Sequence, residues 1–206
     1  MIETVGGRDT DRMDALSDGL FAIVLTLLIL QFEVPSVAPD ELPAAVIEQD
    51  TLVFSYLLSF VVVGLYWIGH HNLFRHIVRH DRVLLWLNLL FLLTVSFLPY
   101  PTEMLGLYGT RFAWTLYAVN IVLVGVTLVG LWTYATRAGY LEEDIDARTA
   151  RSITGRGLIA PAVFSVSIAI AAVSLELAFY TPLLIAPLQV LWVRRYRGTL
   201  ETVEHE

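Results

Sequence analysis

The chain has no cysteine, which removes disulfides, thiolate nucleophiles and thiolate metal ligands from consideration. It also has no lysine: all 13 basic residues are arginine. No polar stretch is long enough to fold by itself, since the longest connections between apolar runs cover only 33–50 and 137–157. A secretory signal is not expected either, because the N-terminus, MIETVGGRDT, is polar and no small-residue cleavage pattern follows the first apolar run. No clear internal repeat is present.

Apolar residues are abundant. Of 206 residues 56% are hydrophobic and the mean hydropathy is +0.66, against about 45–50% apolar in a soluble domain. They are gathered into six long runs, at about 15–32, 51–68, 83–98, 112–136, 158–175 and 178–193. A run of about 20 spans a bilayer core as a helix, and the first run, at about 1.5 Å per residue, reaches roughly 27 Å. The third run is short and ends at Pro99 and Pro101, while Pro161, Pro182 and Pro187 fall inside the last two. Proline inside a membrane helix is tolerated where neighbouring helices satisfy the freed carbonyls. The expectation is an all-α membrane protein, one six-helix transmembrane domain over residues 1–206.

The arginines support that count. Arg8 and Arg12 precede the first run; Arg75, Arg79 and Arg82 lie between the second and third; Arg137, Arg148, Arg151 and Arg156 between the fourth and fifth; Arg194, Arg195 and Arg197 after the sixth. Arg111 alone falls on the other side, so twelve of the 13 share one face. The positive-inside rule assigns that face to the cytoplasm, with both termini inside. The opposite face carries Glu33, Asp40, Glu41, Glu48, Asp50, Glu103 and Glu176, an acidic rim that concentrates cations.

Three stretches bear on chemistry. TVGG at 4–7 looks like the opening of the potassium-filter sequence TVGYG, but it lies ahead of every span and lacks the tyrosine; a filter needs a re-entrant loop to hold its carbonyls at an axis. GHHNLFRHIVRHD at 69–81 holds His70, His71, His76 and His80, and the last two are four apart, which places them on one helical face. Histidine-metal membrane enzymes cluster histidines at helix ends. They need several such boxes, though, and this chain has one. Interfacial histidines that cap the second span and bond neighbouring helices are the expected reading, with no metal. At the mouth of the first run, RMDALSD at 12–18 reads by itself as an anchor, Arg12, and a cap, Ser17 or Asp18.

RMDALSD also resembles the RxxxFSD signature that opens the first helix of the lysosomal potassium channel family, transmembrane protein 175, with Leu16 in place of the phenylalanine. YWIGHHNLFRHIVRHDRVLLWLNLLFLLTVSFLPYPTEMLGLYG, 66–109, is similar to the same family's second and third helices. The resemblance implies a single-repeat prokaryotic member: a homotetramer in the cell (plasma) membrane with the first helix lining a pore for potassium and other monovalent cations. It needs no cofactor and is not an enzyme. The resemblance also implies that Arg12, Ser17 and Asp18 form a latch that holds the first helix, with His70, His71 or Asn72 as partners.

For the pore face, the resemblance implies the stripe Ile23, Thr26, Leu27 and Leu30. Composition does not select it, because every face of this helix is apolar. Rings of Ile23, Leu27 and Leu30 would form a hydrophobic constriction, and a ring of Thr26 hydroxyls a selectivity element. Without the resemblance, Thr26 reads as a hydroxyl bonded back to a carbonyl one turn earlier. A secondary transporter remains the alternative, although such proteins show internal repeats and helices broken at the midplane.

Overall fold

A computed structural model describes residues 5–6, 8–143 and 145–201, with side chains from 12 to 143 and from 145 to 195. In chain order the helices are α1 (Arg8–Leu27, tightening to a 3-10 turn over Leu28–Gln31), α2 (Leu42–Ile47), α3 (Asp50–Phe74), α4 (Arg82–Ser96), α5 (Pro99–Tyr108), α6 (Arg111–Ala138), α7 (Ala147–Gly157), α8 (Ile159–Val173), α9 (Leu175–Tyr180) and α10 (Ile185–Glu201). Two short strands, β1 (Val5–Gly6) and β2 (Arg79–His80), pair antiparallel with Val5 opposite His80. Among the described residues six helical segments are long and apolar enough to cross a membrane: Arg12–Gln31, Asp50–Phe74, Arg82–Tyr108, Arg111–Ala138, Ala147–Val173 and Leu175–Arg195.

The prolines fall where one helical segment gives way to the next. Pro99 opens α5, Pro161 is the third residue of α8, Pro182 sits in the 3-10 turn Thr181–Leu184 and Pro187 is the third residue of α10. Each occupies the first turn of its segment, and the carbonyl of Ala178, four residues before Pro182, accepts from Ser167 Oγ of α8 at 3.2 Å, the compensation expected for a proline inside a span. The third span therefore does not stop at Pro99: it continues through α5 to Tyr108, and Gly109, at φ 53°, ends it in the left-handed region. The fifth span likewise begins earlier than the apolar run, because α7 leads into α8.

α6 is the centre of the bundle. Trp114, Tyr117, Ile121, Val124, Leu131 and Trp132 on it are all buried, and α4, α5 and α8 pack around it. Gly125 lets α8 approach, since a Cβ there would run into the ring of Pro161. Without a water-driven force between helices in lipid, such small-residue contacts are what hold spans together. Polar pairs add to them: Ser59 Oγ lies 2.8 Å from Thr102 Oγ1, joining α3 to α5, and Trp114 Nε1 donates to Ser167 Oγ at 2.9 Å, joining α6 to α8.

The arginine-rich end is closed by the connections after α3 and α6. Val78 N donates to Tyr140 O at 2.9 Å and Glu142 N to His76 O at 3.1 Å. Asp81 caps α4 by accepting from Leu84 N at 2.9 Å, and its other oxygen accepts from the Tyr134 hydroxyl at 2.6 Å. Burial opposes the Asp81 charge, but these donors and the Tyr140 hydroxyl outweigh it and hold the carboxyl below the usual carboxylate range.

Candidate functional site

α1 touches the rest of the subunit along one side only, packing on α3 and α4. Met13, Ser17, Phe21, Val24, Leu28 and Gln31 are buried, a 3.6-residue stripe. The opposite stripe faces out of the subunit: Ile23 is 59% exposed, Leu27 41% and Leu30 72%, and Thr26 is exposed with them. The 3-10 turn matters to this stripe. In a uniform α-helix Leu30 would rotate about 60° away from Leu27, whereas i and i+3 eclipse in a 3-10 turn, so Leu30 stays close beneath Leu27.

The buried side is fastened by a chain of polar contacts whose direction is fully determined. Ser17 Oγ donates to Met13 O at 2.8 Å, so towards α4 it can only accept, and it does so from Asn88 Nδ2 at 3.2 Å. That fixes the Asn88 amide with Oδ1 towards α3, where it lies 3.0 Å from His70 Nε2. His70 must then carry its proton on Nε2. The imidazole is 1% exposed and lies between Phe74 (centroids 4.1 Å apart) and Phe91 (5.3 Å), with Phe21 of α1 at 6.1 Å. One turn along, Asp18 Oδ1 accepts from Trp67 Nε1 at 2.8 Å, and the Trp67 ring stacks on His71 at 6.0 Å. Three spans thus meet at the middle of α1, and because the helix already begins at Arg8, neither Ser17 nor Asp18 is the cap expected of it.

Several expected site residues sit elsewhere. Asn72 lies on another face of α3, lining a cavity with Gly69 and Trp132, and is not part of the Ser17–Asn88–His70 chain. His71 reaches α1 only through the Trp67 stack. Arg12 is exposed and, among the described residues, forms no ion pair within the subunit. Asn88 and Trp67 were not foreseen from the sequence. An asparagine in the middle of the apolar run 83–98 is the signal that points to Asn88, since buried amides in a span require a partner. Thr26 Oγ1 donates to Ile23 O at 2.7 Å, the back-bond considered for it.

His76 and His80 do not share a helical face, because α3 ends at Phe74. His80 is buried in β2, and His76 Nδ1 lies 3.1 Å from Glu142 Oε2. Among the described residues no three His, Cys, Asp or Glu side chains are gathered as a metal site. Of the TVGG stretch, Thr4 and Gly7 lie outside the described residues, and Val5–Gly6 forms β1.

The bundle and the way α1 is fastened define a multi-pass helical membrane protein with one span set at its edge, an apolar stripe turned outwards. Residues 12–99 match the family of the endosomal/lysosomal potassium channel TMEM175. A potassium channel of Streptomyces collinus is 35% identical over 176 residues, covering 82% of this chain and 85% of that one. A potassium channel of Chamaesiphon minutus is 30% identical over 186 residues, covering 86% and 92%. The crystal structure of a lysosomal potassium-selective channel TMEM175 homolog from Chamaesiphon minutus superposes with a TM-score of 0.76 at 27% identity, over 91% of this chain and 97% of that one. The chain belongs to the TMEM175 family, a family of ion channels and not of enzymes.

Proposed function

We propose that four copies of this chain assemble in the cell membrane as a potassium-permeable channel of modest selectivity, with α1 of each copy at the axis and the arginine-rich face, including both termini, in the cytoplasm. The observation that carries this reading is the two-sidedness of α1. One stripe is locked to α3 and α4 by Ser17, Asn88, His70, Asp18 and Trp67, while the other, Ile23, Thr26, Leu27 and Leu30, is turned away from its own subunit. A helix that only anchored the bundle in lipid would gain nothing from being held in one rotational setting.

Around a four-fold axis, the Ile23, Leu27 and Leu30 rings would form a dry constriction that gates by dewetting. The Thr26 back-bond serves the same arrangement. Because the hydroxyl proton is committed to Ile23 O, the oxygen lone pairs are left for a passing cation and can replace part of its hydration shell. Glu33, Asp40, Glu41 and Asp50, all exposed near the far end of α1 and the start of α3, would raise the local cation concentration at the outer mouth. Potassium is the permeant ion, and no cofactor enters the mechanism.

The test is a flux assay on purified protein in liposomes comparing potassium, sodium and a large organic cation, alongside native mass measurement in mild detergent. The reading requires potassium flux that exceeds sodium flux, no flux of the organic cation, and a mass of four chains. Flux by a monomer would overturn it.

A further inference from the structure

A cavity of about 220 Å³ lies between α3, α6, α7, α8 and α10, on the side of α3 away from α1. Its depth is apolar: Leu73, Leu128, Trp132, Phe164 and Ile185 are buried there. Leu65 and Ile68, also lining it, are about half exposed on the surface of the subunit within the span Asp50–Phe74, so the cavity opens sideways between spans. Its other end is polar and lies at the arginine-rich face, where Asn72, Arg156 and Gln189 border it. Among the described residues none of these three side chains has a hydrogen-bond or ion-pair partner.

The lining has a definite sign. Among the described residues the lining contains no aspartate or glutamate, and the Arg156 guanidinium forms no ion pair. The other titratable lining groups are His76, whose Nδ1 lies 3.1 Å from Glu142 Oε2, and Tyr66, which already donates its hydroxyl to Ile121 O at 3.1 Å. The polar end is held in place by backbone-level packing: Trp192 Nε1 donates to Ser152 O at 3.1 Å, and Gly155 allows the Trp192 ring against α7, where a Cβ would collide with it. Arg156 on α7 and Gln189 on α10 are therefore set on elements fixed to one another.

We propose that this cavity binds one anionic phospholipid of the surrounding leaflet, with an acyl chain between α3 and α8 and the phosphate on Arg156, assisted by the amides of Asn72 and Gln189. A guanidinium with free donors matches a phosphate, and amides supply neutral donors beside it. The lateral opening matches a ligand that arrives from within the bilayer, as basic pockets between spans do for anionic lipids. Gly69 and Asn72 line the cavity on the same helix that carries Trp67 and His70, so an occupied cavity braces the helix that holds α1.

The experiment uses the full chain, delipidated in mild detergent and titrated with phosphatidylglycerol, phosphatidylcholine or oleate while bound lipid is read by native mass spectrometry. Phosphatidylglycerol should be retained in preference to phosphatidylcholine. Arg156→Gln should weaken its retention about fivefold, the share of one arginine near a lipid headgroup, while Arg137→Gln, an exposed arginine outside the cavity, should leave it unchanged. Ala160→Phe, which fills the apolar end, should abolish it. Arg156 is exposed and unpartnered, so its variant folds and decides the matter even where Ala160→Phe does not. Equal retention of the two phospholipids, or equal losses from Arg156→Gln and Arg137→Gln, would overturn the proposal. Displacement of phosphatidylglycerol by an equal concentration of oleate would overturn the phospholipid assignment.

Discussion

Replacing Asn88 with leucine keeps the branched skeleton of the side chain, with bulkier ends, and removes both of its bonds. Interhelical hydrogen bonds in membranes average about 0.6 kcal/mol, so the two contacts, to Ser17 and to His70, account for about 1.2 kcal/mol. The larger cost is the His70 Nε2–H, which is left without an acceptor between Phe74 and Phe91; a buried donor stranded in this way costs about 1–3 kcal/mol. Ser17 suffers little, because its own proton still goes to Met13 O. The expected loss is therefore about 2–4 kcal/mol in reversible unfolding in micelles, and flux should fall as α1 loses its setting. Ser17→Ala should cost about 1 kcal/mol, since it strands only the Asn88 amide donor. The double variant should cost little more than Asn88→Leu alone, because with Asn88 gone there is nothing left for Ser17 to accept. Strict additivity, or a loss under about 0.5 kcal/mol for Asn88→Leu, would refute the directed chain from Met13 through Ser17 and Asn88 to His70.

Trp67→Phe keeps an aromatic ring beside His71 but removes the donor to Asp18, so it should destabilise by about 1 kcal/mol, as should Asp18→Ala, and the pair should be non-additive in a double-mutant cycle. Arg12→Ala should leave the unfolding of a single subunit within about 0.5 kcal/mol; a drop in the tetramer's thermal midpoint would then place the Arg12 partner on a neighbouring copy. Ile23→Asn should raise single-channel conductance by wetting the constriction, whereas Val24→Asn, at a buried position one residue on, should reduce folded yield instead. Asp81 has a depressed pKa, so its contribution is present above the unfolded value of about 3.9 and is lost as pH falls through the folded value. Acid titration of the wild type should show a loss of stability below about pH 4 that Asp81→Asn, already less stable at neutral pH, lacks.

The spans were legible because membrane thickness fixes the length of an apolar run, and the arginines between 75 and 82, 137 and 156, and 194 and 197 separate the runs cleanly. Span ends were less so. The proline-rich stretch at 99–101 ends one hydrogen-bonded ladder and starts the next on the same axis, and hydropathy cannot tell a stop from a restart. The histidine spacing at 76 and 80 misled for a related reason: a four-residue interval means one face only while the helix lasts, and α3 ends at Phe74. Within the latch, Ser17 and Asp18 stood out as polar groups at the mouth of an apolar run. Their partners did not, because Asn88 is 71 residues away and Trp67 is 49. No local pattern encodes such pairings. The outward stripe of α1 was invisible to composition, since all its faces are apolar, and it becomes distinct only when Phe21, Val24 and Leu28 pack against α3 and α4.

The natural absence of cysteine allows a direct test of the claim that Ile23, Thr26 and Leu30 line the conduction path, dry while the constriction is closed and wetted while the channel conducts. Thr26→Cys and Leu30→Cys would each place a single thiol on the outward stripe of α1, Leu28→Cys one on its buried side, and Leu93→Cys one on α4, 63% exposed on the subunit but off the proposed pore stripe. Thiols react as thiolates, which form in water and not in hydrocarbon. A small water-soluble cationic thiol reagent applied to conducting channels should block current through the variants at 26 and 30 and spare those at 28 and 93. Current that persists at 26 and 30, or that is lost at 93, would show that α1 does not line the conduction path.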